Sequence, residues 1–481
     1  MKILHITPEL TPWSKAGGLG DATAGLVKAL TQEQHQIRVV TPLYGSIAGR
    51  EDFPILIPSL KVHVAGDPAK AHCRIRQTSV TEKCEAWFIE HEDYYGSSEI
   101  YPAREDAGER AAFLSRAALD ICLAMDWIPD VIHCHDWTTG LVPVLLNTTA
   151  KGTFLGRTAS VLTIHNLQHQ GIHGRRILPF LNLPEWLYHP DELECFGGIN
   201  FLKGGILHAT KVTTVSPTYA KEILTPAYGF GLDEYIRRRQ NDLEGILNGV
   251  DGDDWDPQTD PHIAQNFSGK KLAGKKACKL DLQKKLNLDP NPTLPLIGVV
   301  SRLWEQKGLD LTLHPLRRFL QEGKIQFVLL GSGDIALENA FRNLAEEFPS
   351  QVAVRFGYDN ALAHQIEAGS DFFLMPSRFE PCGLNQLYSL AYGTVPIVRS
   401  TGGLADTVKH WTPGSKEATG IVFHDADSKA IEWALSQALE LYADSNAYKA
   451  VQKKGMKCQF SWKSAAESYL ACYKKALNQR T

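Results

Sequence analysis

Short apolar runs recur along the chain, with stretches of helical periodicity between them. In the first half they fall at residues 2–7, 36–42, 131–135, 159–165, 211–216 and 244–247. In the second half they fall at 294–301, 326–330, 352–356, 371–376, 395–398 and 420–423. Most are too uniformly apolar to leave one face in water, which predicts strands covered on both sides. Helical patterns such as DATAGLVKALTQEQ (21–34) lie between them, and this alternation predicts α/β architecture with doubly wound parallel sheets.

Twelve strands exceed one compact sheet, and the pattern breaks near residue 250. Residues 251–262, DGDDWDPQTDPH, are rich in Asp, Gly and Pro and read as a linker. Lys270, Lys271, Lys275, Lys276, Lys279, Lys284 and Lys285 follow and read as a solvated helix face. The expected domains are 1–248 and 249–455, both Rossmann-like. A last helical segment, 456–481, has no strand partner of its own and is expected to pack back on the first domain. Pro315 falls inside a proposed helix, which must therefore start late or kink.

Composition narrows the class. The 481 residues are 43% hydrophobic and 22% charged, as in ordinary globular proteins. Lys and Arg total 50 against 54 Asp and Glu, a net charge of −4 that argues against a nucleic-acid coat or an acidic-membrane binder. The nine cysteines are scattered without a C-x-x-C, which favours a reducing, cytoplasmic compartment over a disulfide framework or zinc site. MKILHITPEL reaches Pro8 and Glu9 too soon for a signal peptide, and no run approaches the ~20 apolar residues of a membrane span.

Ligands of open parallel sheets bind beyond the carboxyl ends of the strands, so polar residues there carry the candidate chemistry. After the first strand, PELTPWSKAGGLGD sets Lys15 before Gly17 and Gly18, with Asp21 at a helix start. Such glycines allow close backbone approach to an anion, although a structural turn also explains a lone Gly-Gly. The loop lacks both the dinucleotide fingerprint and the Walker A spacing. HCHDWTTG (His133, His135, Asp136) and TIHNLQHQG (His165, Asn166, His169) end two further strands. Their histidines lack a cysteine or glutamate at ligand spacing, so hydrogen bonding to a polyol fits better than metal. His133 and His169 also read as exposed strand-end residues without a role.

In the second half, Arg302 and Lys307 in SRLWEQKGLDL form a candidate diphosphate clamp, with two surface charges as the alternative. GSGD (331–334) is a weak nucleotide hint. In SRFEPCGLNQLY, a strand delivers Glu380, Pro381 takes a first-turn position, and Cys382, Gly383 and Leu384 offer backbone amides. Thr401, Gly402 and Gly403 in TGGLAD repeat the construction one strand later. No nearby base supports Cys382 as a nucleophile.

Together KAGGLGD, HCHDWTTG, TIHNLQHQG, NGVDGDDWDP, SRLWEQKGLDL, SRFEPCGLNQLY and TGGLADTV resemble the bacterial glycogen synthase and plant starch synthase family, in order and over nearly the whole chain. The resemblance implies a GT-B fold, two Rossmann-like domains facing a deep cleft. It implies ADP-glucose as co-substrate and an α-1,4-glucan such as glycogen as acceptor. Glucose would pass to a non-reducing-end 4-hydroxyl with retention of configuration, with no metal or other cofactor. By matching position, Lys15 contacts the donor, and Asp21, Asp136, His165 and Asn248 line the sugar and acceptor side. Arg302 and Lys307 hold the diphosphate, Glu380 and Cys382 sit at the glucose, and Tyr358 stacks on adenine. Asp136, His165, Arg302, Lys307 and Glu380 form the catalytic set. Lys15, Gly17, Gly18, Asp21, Asn166, Asn248, Tyr358, Cys382, Gly383, Leu384, Thr401, Gly402 and Gly403 form the binding set. Many related retaining enzymes carry a second Glu eight positions after the first; Tyr388 stands there, as in the bacterial synthase branch.

Three rivals share parts of this pattern. A nicotinamide-dependent oxidoreductase would show a short G-x-G-x-x-G turn after the first strand, which is missing. A noncatalytic glucan-binding protein would be free to lose Lys15, Arg302, Lys307 and Glu380, and all four are present. A glucan phosphorylase would need pyridoxal phosphate.

Overall fold

The computed structural model describes residues 1–32, 35–47 and 49–480, so the last two residues of the 21–34 helical pattern lie outside the described residues. The chain divides into two compact units. One comprises Met1–Gly249 with the segment from Trp462 onward, and the other is Val250–Ser461.

Unit 1 is built on β1 (Lys2–Ile6), β2 (Gln36–Pro42), β3 (Ile55–Lys61), β4 (His72–Thr81), β5 (Cys84–Glu90), β6 (Val131–His135) and β7 (Ala159–Ile164). Short strands β8 (Ile172–His173), β9 (Glu194–Cys195) and β10 (Gly198–Asn200) follow, then β11 (Lys211–Thr214) and β12 (Leu243–Gly245). The main sheet runs β12-β11-β7-β6-β1-β2-β5-β4-β3, while β8-β10-β9 form a small sheet apart. From β12 to β5 every pairing is parallel, and β4 and β3 add an antiparallel edge. Every residue of β6 and β7 is buried, as a central parallel strand requires. The edge escapes the apolar-run criterion because β3 and β4 carry exposed residues along their length and shift register.

The helix Trp462–Arg480 belongs to unit 1. It lies so close to the helix Gly18–Leu30 that a Cβ on Gly25 would sit 2.1 Å from Trp462 Nε1. Tyr473, in the same helix, bonds His133 Nδ1 at 2.7 Å through its hydroxyl.

Unit 2 carries β13 (Leu296–Val300), β14 (Gln326–Leu330), β15 (Val352–Arg355), β16 (Phe372–Met375), β17 (Val395–Arg399) and β18 (Ile421–Phe423). All pairings are parallel, in the order β15-β14-β13-β16-β17-β18. Chain direction across the sheet reverses between β13 and β16, the place where doubly wound sheets open a ligand crevice. Pro315 is accommodated by a late start: a 3-10 turn, Leu309–Thr312, precedes the helix Leu313–Gln321.

Two sequence readings are corrected here. Residues 251–262 are not a loose linker. Trp255 stacks between His364 and Tyr388 with ring centroids 3.8 Å from each, and buried Asp260 accepts hydrogen bonds from Tyr392 and His364. Nor is the lysine run wholly solvated. In the helix Ala273–Lys285, Lys275 and Lys279 are buried. Lys275 donates to Thr394 Oγ1 and the Ala368 carbonyl, and Lys279 to Asp371 and the Leu294 carbonyl. Composition cannot register such buried acceptors, and they reverse the usual preference of lysine for water.

Candidate active site

In unit 1 the sheet reverses direction between β1 and β6, and the loops leaving those strands hold the polar residues. Glu9 sits just past β1 and is buried; its Oε2 accepts the amide N–H of Ala16 at 2.7 Å and of Gly17 at 3.0 Å. Tyr101 donates to Oε1 at 2.7 Å. These two amides are thus satisfied from within, and a carboxylate shapes that part of the glycine loop. The helix starts at Gly18, which puts Asp21 in its first turn. Asp21 pairs with Lys15 Nζ at 2.7 Å and accepts from Thr11 at 2.9 Å.

Asp136 follows β6 with φ 57° and ψ −170°, a conformation that costs a non-glycine residue free energy. The strain aims its carboxylate at the next strand's loop, where Oδ1 accepts the N–H of His165 at 2.7 Å and of Asn166 at 3.3 Å. Burial pushes the Asp136 carboxyl up to about 7, against the pull of those two amides. The carboxamide of buried Asn248 makes no hydrogen bond to a described residue. Beside Asp136 lies a cavity of about 230 Å³ lined by Tyr95, Tyr101, Trp137 and His173 among others.

His133 is not an exposed strand-end residue. It is fully buried, with Tyr473 on one nitrogen and Thr163 on the other at 2.5 Å. His5, His133 and His135 bring one ring nitrogen each within 4.8 Å of one another. They fit a metal poorly: both nitrogens of His133 and of His135 are already spent on protein partners, and no described thiolate or carboxylate joins them. His169 is exposed.

In unit 2 the loops after β13 and β16 are stitched together. Gly308, at φ 65°, lies where a Cβ would be 2.2 Å from the Pro376 carbonyl, so only glycine fits. The Arg378 amide donates to the Gln306 carbonyl at 2.8 Å, and buried Arg399 donates to the Ser377 carbonyl at 2.8 Å. This brings Lys307 Nζ to Glu380 Oε2 at 2.6 Å, and the Ser377 hydroxyl donates to the same oxygen at 2.9 Å. Glu380 is buried and Lys307 partly so. Arg302 is exposed, and among the described residues its guanidinium has no acceptor.

The amides of Gly383 and Leu384 donate to no described residue, so this turn keeps free donors. Gly403 does not: its N–H goes to the Glu380 carbonyl at 3.1 Å. Gly402 and Gly403 bring the buried Thr401 turn against the Glu380–Cys382 backbone, where an added Cβ at either would lie 2.0 Å from a carbonyl oxygen. The glycines of GSGD have the same use: a Cβ on Gly331 would lie 1.7 Å from the Ser301 carbonyl. Tyr358 is 74% exposed, with its hydroxyl on Asn360.

The structure therefore joins Lys15 with Asp21, Asp136 with His165 and Asn166, and Lys307 with Glu380. Among the described residues, Arg302 and the Asn248 carboxamide bond to none of these. Sequence reading missed Glu9, Tyr101, His5 and Ser377. Glu9 and Ser377 lie within three residues of a strand end and were open to the same search; His5 sits inside an apolar strand and gave no signal.

Two doubly wound α/β units with polar loops at each reversal have the architecture of GT-B glycosyltransferases. The same fold appears in sucrose-phosphate synthase from Thermosynechococcus elongatus, at TM-score 0.62 and 18% identity over 98% of both chains. The catalytic domain of starch synthase IV from Arabidopsis thaliana, solved with ADP and acarbose, matches at TM-score 0.91 and 34% identity over 99% of both chains. The family profile "Starch synthase catalytic domain" matches residues 2–238, and "Glycosyl transferases group 1" matches 282–457. A glycogen synthase from Anaeromyxobacter sp. (strain Fw109-5) is 44% identical over 98% of this chain and 99% of its own. Glycogen synthase 2 from Geobacter sulfurreducens is 41% identical over the full length of both. The chain belongs to the glycogen synthase and starch synthase family.

Proposed function

We propose that the chain transfers glucose from ADP-glucose to the non-reducing-end 4-hydroxyl of an α-1,4-glucan, retaining the anomeric configuration and releasing ADP. The observation that carries this is the Lys307–Glu380 pair at the strand reversal of unit 2, next to the unspent amides of Gly383 and Leu384. Splitting the anomeric C–O bond builds negative charge on the departing diphosphate and positive charge on the ring. Lys307, Arg302 and the free amides address the first as preorganised donors. The Glu380 carboxylate addresses the second. Its Oε2 already accepts from two donors, which suits a fixed charge better than a nucleophile forming a bond.

Tyr358 offers an exposed ring to adenine, and Cys382 and Thr401 border the glucose. In unit 1, Lys15 is the donor contact, while Asp21, Asp136, His165, Asn166 and Asn248 supply directional hydrogen bonds to sugar hydroxyls. The aromatic cavity beside Asp136 suits the apolar faces of an acceptor glucan. No resident cofactor is needed in this scheme. No described helix is long and apolar enough to cross a membrane, and a nucleotide-sugar donor suits a cytoplasmic setting.

The test is ADP release on mixing the protein with ADP-glucose and glycogen, with UDP-glucose run in parallel. Faster turnover with ADP-glucose, and glucan lengthening matched to ADP released, is the expected result. No ADP release, or an equal kcat/KM with UDP-glucose, would sink respectively the reaction or the role of Tyr358.

A further inference from the structure

Three histidines from neighbouring positions of the unit 1 sheet form a hydrogen-bonded file. His5 Nδ1 lies 3.1 Å from His135 Nε2, and His135 Nδ1 lies 3.0 Å from His165 Nε2. His5 and His135 are buried, and His165 is partly exposed. At the far end, His5 Nε2 is buried with no partner among the described residues. No described carboxylate bonds to a ring nitrogen of the file. Its titratable neighbours are the His133 ring, 4.2 Å from that of His135, and Asp136, which bonds the backbone of His165. Burial lowers all three histidines from their ordinary value, so they are neutral at physiological pH.

A neutral imidazole has one N–H and one lone pair. Each link of the file consumes one of each, so the three rings must all carry the proton on the same nitrogen, and none can change tautomer alone. We propose that His5, acting through His135, is a positioning residue: it fixes the tautomer and ring orientation with which His165 meets the sugar. The inference rests on the reading of His165 as a sugar contact. His5 never touches substrate; it ties the tautomer of a residue that does to its own, so His165 cannot switch independently. Freed from the file, His165 divides between two tautomers, one of which presents the wrong partner to a hydroxyl, and its ring can turn.

The test combines spectroscopy and kinetics on the full chain. Long-range proton–nitrogen spectra of protein labelled at histidine nitrogens should show His5, His135 and His165 in one shared tautomer, unchanged from pH 6 to 8. Different or mixed tautomers in the wild-type protein overturn the proposal, whatever the variants do. His5→Phe should lower kcat about tenfold or more with little change in donor KM, since positioning errors act on the reacting geometry. It should also give His165 mixed nitrogen shifts. His5→Asn, whose amide places a hydrogen-bonding atom near the position of Nδ1, should recover much of kcat. A merely structural His5 would move melting but neither the shifts nor the split between kcat and KM. Should His5→Phe not fold, the wild-type spectra and His5→Asn still decide. His165→Ala separates the two readings. If it stays active, the sugar contact fails; if it is inactive while His5→Phe turns over normally, the positioning role alone fails.

Discussion

Arg302 and Lys307 are equivalent as a sequence pattern, and their surroundings separate them. Arg302 is exposed and unpaired among the described residues, so Arg302→Ala should leave melting within about 0.5 kcal/mol of wild type. Lys307 holds the buried Glu380, and Lys307→Ala strands that carboxylate with Ser377 as its remaining partner. The expected cost is about 1–3 kcal/mol. Both variants should lose at least ~10²-fold in kcat/KM if they hold the departing diphosphate. Urea titration and steady-state kinetics on the pair check this; normal turnover in either removes that residue from the site. Asp136 gives a second expectation. Its carboxyl is raised to about 7 by burial, so the folded protein binds this proton more tightly than the unfolded chain does. Its contribution to stability therefore falls as pH rises from about 4 to about 7 and stays lost above that. Asp136→Asn should melt higher than wild type at pH 8 while turning over more slowly. If the ionised form is needed for turnover, the wild-type rate falls below an apparent pKa near 7, and the variant loses that limb. A rate flat from pH 8 to 6 in the wild type would count against the role.

Among the elements, the contact between the helices Gly18–Leu30 and Trp462–Arg480 allows a prediction whose sign is not obvious. Alanine for glycine in a helix usually gains about 1 kcal/mol. At Gly25 the new Cβ meets the Trp462 indole at 2.1 Å, an overpacking that costs about 1–3 kcal/mol. Gly25→Ala should therefore destabilise, and adding Trp462→Phe should return part of the loss in thermal melts. A stabilised single variant would contradict the close packing. The elements legible in the sequence were those whose burial is uniform. Each of the twelve apolar runs overlaps an observed strand, and most of these strands are covered on both faces, which leaves little room for polar interruptions. Strands β3 and β4 stayed hidden since edge strands mix exposed and buried residues, and β5 since charged residues interrupt CEAWFIE. The same logic governs the site. Polar residues at strand ends stood out against apolar surroundings, whereas the histidine file, the glycine contacts and the anchoring of Trp255 depend on partners far apart in sequence, which periodicity does not encode.

Across the molecule, the two units hold different titrating groups. Unit 1 holds His5, His133, His135 and His165, all lowered by desolvation. The unfolded chain protonates such residues below about 6.5 and the fold does not, so stability is intact above that value and falls as pH drops toward the folded value, about 3 for His5. In unit 2 buried Glu367 is raised to about 8, which works the other way: its contribution falls as pH rises from about 4.5 to 8. Unit 1 also holds Asp136, which works like Glu367, but it is one group against four histidines, so moving from pH 7 to 5 should weaken unit 1 relative to unit 2. Hydrogen exchange, corrected for the intrinsic pH dependence, should show protection falling in β1, β6 and β7 more than in β13, β14 and β16. Equal loss in both sheets would contradict the assignment. The connectivity also dictates an order of synthesis. Unit 2 is inserted between the body of unit 1 and the helix Trp462–Arg480 that completes it. At elongation speeds of roughly 5–20 residues per second, a ribosome spends roughly 10–40 s translating the insert. Throughout that interval the groove awaiting Trp462 is open and His133 waits for the Tyr473 hydroxyl. The nascent first half is thus obliged to persist as an unfinished body while its neighbour folds, a window in which a chaperone or a protease meets it first.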